Sequence, residues 1–174
     1  MIHLDPCLDR LAYRCHPNGC PKDRTCCVGL VIEVSKKEVR VIDSLMDELA
    51  RVSPALRDGD GYANVFVDDP PALTIEPPDE MGTCPFLFRK DGHALCSIHH
   101  VALQTDRDVA RVKPAACRHW PLVVEPTDDG VRITVHASAQ SIGCVAPRAE
   151  LPGHPSVREA FAPEIAELLG RAGL

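Results

Sequence analysis

The sequence predicts an α+β fold: a small, loop-rich domain of short strands, hairpins and helices organised around a cysteine metal site. Apolar residues recur at helical spacing over about 36–52, and β-branched or alternating segments elsewhere predict strands. Sixteen prolines keep these elements short, because proline lacks a backbone N–H and interrupts both helices and sheets. Nine cysteines, most of them in two parts of the chain, supply the organising centre.

The amphipathic helix predicted over about 36–52 begins with a capping box. Ser35 is the N-cap, and Glu38 stands three residues later, so that each side chain can accept from the other residue's backbone N–H. Pro54 ends the helix. We interpret its apolar stripe as core packing rather than as a partner-binding face; the stripe consists of Val39, Ile42, Leu45, Met46, Leu49 and Val52.

Further helices are predicted in the second half of the chain. A helix over 97–103 follows the second cysteine group, and Lys113-Pro114 breaks the chain again. Ser156 and Glu159 form another capping box, at the start of a C-terminal helix. Because Pro163 does not suit one continuous helix, we expect either a kink or a second helix from Pro163 to Gly170.

Short strands are predicted over 29–34, 62–67 and 72–75, with residues 57–61 forming a turn. Residues 122–125 and 131–135 flank a Pro-Thr-Asp-Asp-Gly segment, which predicts a hairpin.

Asp91-Gly92 predicts another hairpin, between Cys84 and Cys96. A two-residue loop would pair Leu87 with Cys96 and put the two cysteines on opposite faces. A three-residue loop would pair Phe86 with Cys96 and put them on one face. We expect the three-residue loop, since joint ligation of a metal requires a shared face.

Length and charge exclude several classes of protein. A chain of 174 residues predicts a single domain over 1–174. The net charge of −6 argues against nonspecific nucleic-acid binding, which needs a basic surface. The sequence has no apolar run of membrane-spanning length, and its N-terminus lacks the apolar region of a signal peptide. We therefore expect a cytoplasmic protein that binds neither nucleic acid nor membrane, with an unidentified protein or redox partner.

In a reducing cytoplasm, clustered cysteines indicate metal ligands or redox centres rather than disulfides. With Cys7 set apart, eight cysteines remain as predicted ligands: Cys15, Cys20, Cys26, Cys27, Cys84, Cys96, Cys117 and Cys144. Eight thiols permit two four-ligand sites, or one site with additional thiols. The neighbours Cys26 and Cys27 point in different directions, so they serve different sites or only one is a ligand.

Other side chains near these cysteines have supporting roles in the prediction. Four thiolates leave a net negative charge at a zinc or iron–sulfur site, which Lys22, Arg24 and Arg118 can stabilise. His99 and His119 are reserve ligands, because histidine can replace cysteine at such sites.

The ordered cysteine segments resemble the YkgJ-like cysteine-cluster family. The likeness covers about residues 15–121: C…C…CC, a strand, Ser-Lys-Lys-Glu, Cys-Pro-Phe-Leu, Cys-Ser-Ile, and Lys-Pro-x-x-Cys-Arg-x-Trp-Pro. Residues 122–174 would then form a hairpin and a helical extension. The first cysteine group is spread more widely here than in the family. The family's cysteines correspond to Cys15, Cys20, Cys26, Cys27, Cys84, Cys96 and Cys117.

The resemblance implies a function. Members of the family are described as zinc- or iron-chelating domains, and related motifs occur in flagellin lysine methylases, where an iron–sulfur cluster is implied. We therefore expect an iron–sulfur cluster, of the 4Fe-4S type, in a redox, electron-transfer or modification-support role. The alternatives are a structural zinc domain without catalysis and an oxygen-sensitive protein-modifying enzyme. The sequence assigns no catalytic residue.

Overall fold

The computed structural model describes residues 1–15, 25–69, 72–77 and 80–172. The first part of the chain contains β1 (Ile2–Leu4), α1 (Cys7–Arg10), β2 (Leu11–Tyr13), β3 (Ile32–Val34), α2 (Lys36–Asp43), α3 (Met46–Val52), a 3-10 turn (Pro54–Leu56), β4 (Arg57–Asp58), β5 (Gly61–Tyr62), β6 (Phe66–Asp69) and β7 (Ala72–Ile75). The second part contains β8 (Leu87–Lys90), β9 (His93–Cys96), α4 (Ser97–Gln104), α5 (Val109–Val112), α6 (Ala115–His119), β10 (Leu122–Thr127), β11 (Gly130–Val135), α7 (Ala139–Ile142), β12 (Val145–Pro147), α8 (Val157–Ala160) and α9 (Ala162–Ala172). Helices and strands are thus mixed along the chain, and the α+β class is confirmed.

The described residues group into two compact units. The central unit is drawn from Pro21–Arg118, and the terminal unit from Met1–Cys20 and His119–Leu174. The single domain expected over 1–174 stays a prediction. No helix within the described ranges is both long and apolar enough to cross a membrane.

The central unit packs a small antiparallel sheet and several helices around one apolar core. The sheet order is β3-β7-β6, with Ile32 opposite Ile75 and Val34 opposite Leu73. Ile32 and Val34 are buried while Glu33 between them is exposed, as a strand with one face on a core requires. The core includes the buried Ile42, Leu45, Leu49, Leu56, Phe86, Ile98 and Val101.

The helix predicted over about 36–52 is wrong as one continuous element. Its capping box at Ser35 and Glu38 is confirmed, but α2 ends at Asp43 and α3 begins at Met46. Ser44 Oγ donates to the Val41 carbonyl at 2.7 Å, a local bond that competes with the regular helical pattern. The break leaves Leu45 fully buried, so the apolar stripe still packs in the core.

The terminal unit combines the predicted C-terminal hairpin with the chain's first residues. Strands β10 and β11 pair from Leu122 with Val135 to Thr127 with Gly130, which confirms the hairpin. Strand β1 adds to β11 in parallel, and β12 pairs antiparallel with β2. The core of this unit includes Leu8, Leu122, Ile133, Val145, Val157, Phe161 and Ile165.

The C-terminal segment contains two helices, as one of the two predicted arrangements requires. The capping box of Ser156 and Glu159 begins α8, and α9 begins at Ala162 with Pro163 in its first turn. Gly170 lies inside α9, so the predicted end at that residue is wrong. A glycine inside a helix costs about 1 kcal/mol relative to alanine, which the packing of Ile165 against the core of the terminal unit can offset.

The register predicted for the Cys84–Cys96 hairpin is wrong. Leu87 pairs with Cys96, and Asp91-Gly92 forms a two-residue loop with positive φ at both residues. Such a loop matches the twist of the paired strands. Cys84 itself lies before β8, where Leu87 N donates to the Cys84 carbonyl at 2.9 Å. Because this turn precedes the strand, strand alternation does not decide where the Cys84 side chain points.

Candidate thiol cluster

Five of the predicted ligands belong to the central unit, and together we call them the thiol cluster: Cys26, Cys27, Cys84, Cys96 and Cys117. The first two lie in the turn before β3, and Cys84 precedes β8. Cys96 is the last residue of β9, and Cys117 lies in α6. None of the five is disulfide-bonded. The five thiols are therefore carried by short elements that lie far apart in the sequence.

Backbone pairing brings the loop of Cys27 beside the loop of Cys84. Val28 and Thr83 form an isolated antiparallel bridge, and Cys84 N donates to the Cys27 carbonyl at 2.8 Å. Gly29 N donates to the Gly82 carbonyl at 3.0 Å. These bonds hold the loop that contains Cys27 against the loop that contains Cys84.

Two glycines permit this close approach. Gly29 and Gly82 have φ values of 73° and 72°, in the left-handed region that favours glycine. A Cβ on Gly82 would lie 3.2 Å from Gly29 Cα, closer than ordinary packing allows. The close approach of the two loops thus explains why glycine stands at positions 29 and 82.

Cys96 is positioned by the hairpin and by the start of α4. Ser97 N donates to the Phe86 carbonyl at 2.8 Å, and Phe86 is fully buried in the core. Cys84, Cys96 and Cys117 are partly buried and pack against this core, whereas Cys26 is exposed. Three thiols of the cluster therefore pack against the apolar core, and the Cys26 thiol faces solvent.

Charges within the cluster shift the pKa values of several of its thiols and of Lys113. Burial, reinforced by the charge of Cys96, raises the pKa of Cys84 and that of Cys117 to about 12. Burial alone would lower the pKa of Lys113, but the surrounding thiolates outweigh it and raise that pKa. Because burial and mutual repulsion oppose ionisation, these thiols become thiolates together only if a cation shares the site.

Cys26 and Cys27 respond in opposite directions. The hydrogen bond from the Cys27 thiol lowers the pKa of Cys26, and Lys113 lowers it further. The same bond, followed by burial, raises the pKa of Cys27. The neighbouring pair thus presents one exposed thiol that ionises easily and one partly buried thiol that does not.

The described residues hold the donors but not a finished coordination sphere. Among them, no group of three or more His, Cys, Asp or Glu side chains could hold a metal ion as it stands. The donor chemistry nevertheless fits a thiophilic metal, because thiolate sulfur is a soft ligand that zinc and iron–sulfur clusters accept. Ser97 Oγ is fully buried directly after Cys96, with no hydrogen-bond partner in the described ranges. A cysteine thiolate is an acceptor that such a hydroxyl can use.

Two of the remaining predicted ligands lie in the terminal unit, and Cys20 lies outside the described residues. Cys15 is exposed. Cys144 is partly buried, and its backbone carbonyl accepts from Arg14 N at 2.8 Å. The thiol cluster therefore contains five of the eight predicted ligands.

Cys7, set apart in the sequence analysis, has its own environment in the terminal unit. Its sulfur lies 3.3 Å from Thr134 Oγ1, and Thr134 donates to Asp5 at 3.2 Å. Burial raises the pKa of Cys7, with Asp5 adding to the effect. Among the described residues, the polar partners of the Cys7 thiol thus include Thr134 and Asp5 and no other cysteine. Cys7 therefore serves as a control position.

The two reserve histidines have different surroundings, and their role as ligands stays a prediction. His119 is buried in the terminal unit, with Nε2 3.2 Å from Glu167 Oε2. His99 lies on α4 with its side chain largely exposed, and partial burial and the nearby charge of Lys113 lower its pKa. Of the cations predicted near the thiols, Lys22 and Arg24 lie outside the described residues.

Sequence reasoning missed Lys113 as the cation of the cluster. Four of the five thiolates act on its ammonium group. The sequence signals for this role are its position four residues before Cys117 and its place in the Lys-Pro-x-x-Cys motif.

In the metal-free protein, Cys26 should react with iodoacetamide at lower pH than Cys7. The thiolate is the reactive form, so a lowered pKa moves the rise in rate to lower pH and a raised pKa moves it higher. We follow the alkylation rate of each cysteine against pH by mass spectrometry. The midpoint of the rise in rate for Cys26 should lie below the ordinary thiol pKa of about 8.5. Lys113→Met should move the Cys26 midpoint upward. A midpoint for Cys26 at or above that of Cys7 would contradict this account.

Comparison with known proteins gives no relative: no family model, curated protein or solved structure matches this chain.

Proposed function

We propose that this protein is a metal-binding cysteine-cluster protein of the YkgJ-like kind, whose thiol cluster holds an iron–sulfur centre. The observation that carries the proposal is the gathering of five thiols and one lysine in the central unit. Partly buried thiols that lie together ionise together only if a cation neutralises them, because each thiolate raises the pKa of the next. A bound metal ion would supply that cation.

The proposed ligands are Cys84, Cys96 and Cys117, with one member of the Cys26-Cys27 pair as the fourth. The first three share partial burial and contact with the apolar core. Four thiolates around a 4Fe-4S core leave a net negative charge, which the Lys113 ammonium offsets. The Ser97 hydroxyl can donate to a ligating sulfur, an interaction known to tune such centres.

The proposed role is redox: electron transfer, or support of a modification reaction on another protein. An iron–sulfur centre supplies one-electron chemistry, and the protein residues around it set its reduction potential. We place the protein in the cytoplasm, where thiols stay reduced and available for metal. Its partner would be a redox protein or the protein that is modified.

A structural zinc site is the second candidate, because the same four-thiol donor set suits tetrahedral zinc. Zinc would then serve folding alone. The two metals separate by colour and composition, since zinc has a filled d shell and gives no visible absorption.

The test is elemental analysis with absorption spectroscopy on protein prepared without oxygen. We expect a brown protein with about four iron and four acid-labile sulfide per chain, as a cubane cluster requires. Zinc at about one per chain without iron would overturn the iron–sulfur assignment in favour of the structural site. Protein with neither metal after reconstitution would overturn both.

A further inference from the structure

Glu38 makes a contact that its place in a capping box does not explain. One carboxylate oxygen, Oε2, accepts from Ser35 N at 2.8 Å and from Ser35 Oγ at 2.6 Å, which completes the box. The other oxygen, Oε1, accepts from Ala115 N at 2.7 Å. Ala115 begins α6, the helix that carries Cys117. A single side chain thus holds the first turns of two helices that are 77 residues apart in sequence.

The contact links the helix that carries Cys117 to the segment that follows Cys26 and Cys27. Helix α2 follows β3, and β3 follows the turn of Cys26 and Cys27. Helix α6 is five residues long and follows the buried Pro114. A helix this short has little stability of its own, so its position depends on contacts made by its neighbours.

The carboxylate is well suited to this task. Burial raises the pKa of Glu38, but hydrogen bonds from Ser35 and Ala115, with the charge of Arg118, outweigh it and lower that pKa. Glu38 is therefore ionised at neutral pH, and hydrogen bonds to a charged acceptor are about twice as strong as neutral ones. The amide of Ala115 would otherwise be one of the unsatisfied donors at a helix start.

We infer that Glu38 is a positioning residue of the metal site, holding the helix of Cys117 in place against the segment that follows Cys26 and Cys27. The inference rests on the proposed function for its purpose, while the contact itself is independent of any metal. Among the described residues, the contacts of Glu38 with α6 are the backbone N–H of Ala115 and the charge of Arg118, and neither involves a thiol.

The chain offers a matched control. Glu159 forms the same capping box with Ser156 in the terminal unit, where its carboxylate accepts from Ser156 N at 2.7 Å. Replacing Glu159 removes an equivalent local cap from the other unit. A difference between variants at Glu38 and Glu159 therefore shows more than the loss of a helix cap in general.

The first experiment measures thiol reactivity in the metal-free protein. Glu38→Ala should raise the alkylation rate of Cys117 by about tenfold, as expected for loss of a hydrogen bond to a charged group. Cys84, which is held by the Cys27 backbone, should change by less than about twofold on the same argument. Glu38→Gln retains an acceptor oxygen and should recover most of the protection. Glu159→Ala should leave Cys117 unchanged.

Several results would overturn the inference. Equal acceleration at Cys84 and Cys117 would show general destabilisation, and no acceleration at Cys117 would show that the contact does not hold α6. A Glu38→Gln protein as reactive as Glu38→Ala would show that the acceptor atom is not what matters.

The second experiment measures retention of metal. Protein reconstituted with iron and sulfide, or loaded with zinc, is challenged with excess chelator. Glu38→Ala should release metal about tenfold faster than the unsubstituted protein, within the range known for outer-sphere partners, while Glu159→Ala should match the unsubstituted protein. Equal release rates for all three proteins would overturn the role in metal binding. If the unsubstituted protein holds no metal, the proposed function fails, and the alkylation rates still decide whether Glu38 positions Cys117.

Discussion

Cys96→Ser should remove most of the bound metal. Cys96 stands at the junction of β9 and α4, and its charge raises the pKa values of Cys27, Cys84 and Cys117. Its charge thus acts on three of the other four thiols. Serine preserves the shape but does not ionise to a soft ligand, so the loss should exceed the ~10- to 100-fold cost of an outer-sphere change. Metal per chain after anaerobic reconstitution and desalting gives the measurement.

Cys7→Ser is the matched control for this substitution. Cys7 is also partly buried, yet its partners are Thr134 and Asp5 in the terminal unit. Metal content should remain at the level of the unsubstituted protein. Similar losses in the Cys7 and Cys96 variants would show that the central thiols have no special role. We expect Cys84→Ser and Cys117→Ser to behave like Cys96→Ser.

Removal of the metal should lower the thermal stability of the central unit. A metal that binds only the folded state adds its binding free energy to folding, because the unfolded chain has no preformed site. A site filled at 1,000 times its dissociation constant adds about 4 kcal/mol. For a unit of this size that corresponds to a fall of about 15 °C or more in melting temperature.

The position of the single tryptophan allows the two units to be followed separately. Trp120 lies in the terminal unit, with its ring 4.9 Å from that of His136. Far-ultraviolet circular dichroism reports the unfolding of both units, whereas tryptophan fluorescence reports the terminal unit. Chelator should therefore lower the melting temperature measured by circular dichroism more than the one measured by fluorescence. An equal shift of both midpoints, or no shift of either, would contradict a metal site confined to the central unit.

Features set by neighbouring residues were the ones predictable from sequence. The capping boxes of Ser35 and Ser156 depend on side chains three residues apart, and the hairpin of β10 and β11 depends on its turn residues. The break at Ser44 was not predictable from the apolar stripe, because Leu45 and Met46 remain buried on either arrangement. The strand register at Cys96 was mispredicted because a turn after Cys84, not strand alternation, directs that residue.

The composition of the thiol cluster was predictable in part. Its five cysteines are among the eight that residue type and order predicted as ligands, and their role as ligands stays a prediction. Their grouping was not, because it depends on the backbone pairing of Val28 with Thr83 and the close approach of Gly29 and Gly82. The roles of Lys113 and of the second Glu38 oxygen also arise from contacts between segments distant in sequence, which no local pattern records.

X-ray absorption spectroscopy of the metal in the reconstituted protein tests the central claim most directly, because it counts the sulfur atoms bound to the metal. We predict a first shell of about four sulfur ligands per metal, whether the metal is iron in a cubane cluster or tetrahedral zinc. In Cys96→Ser, any residual metal should show fewer. A first shell of oxygen or nitrogen alone would contradict the assignment of the thiol cluster as the metal site.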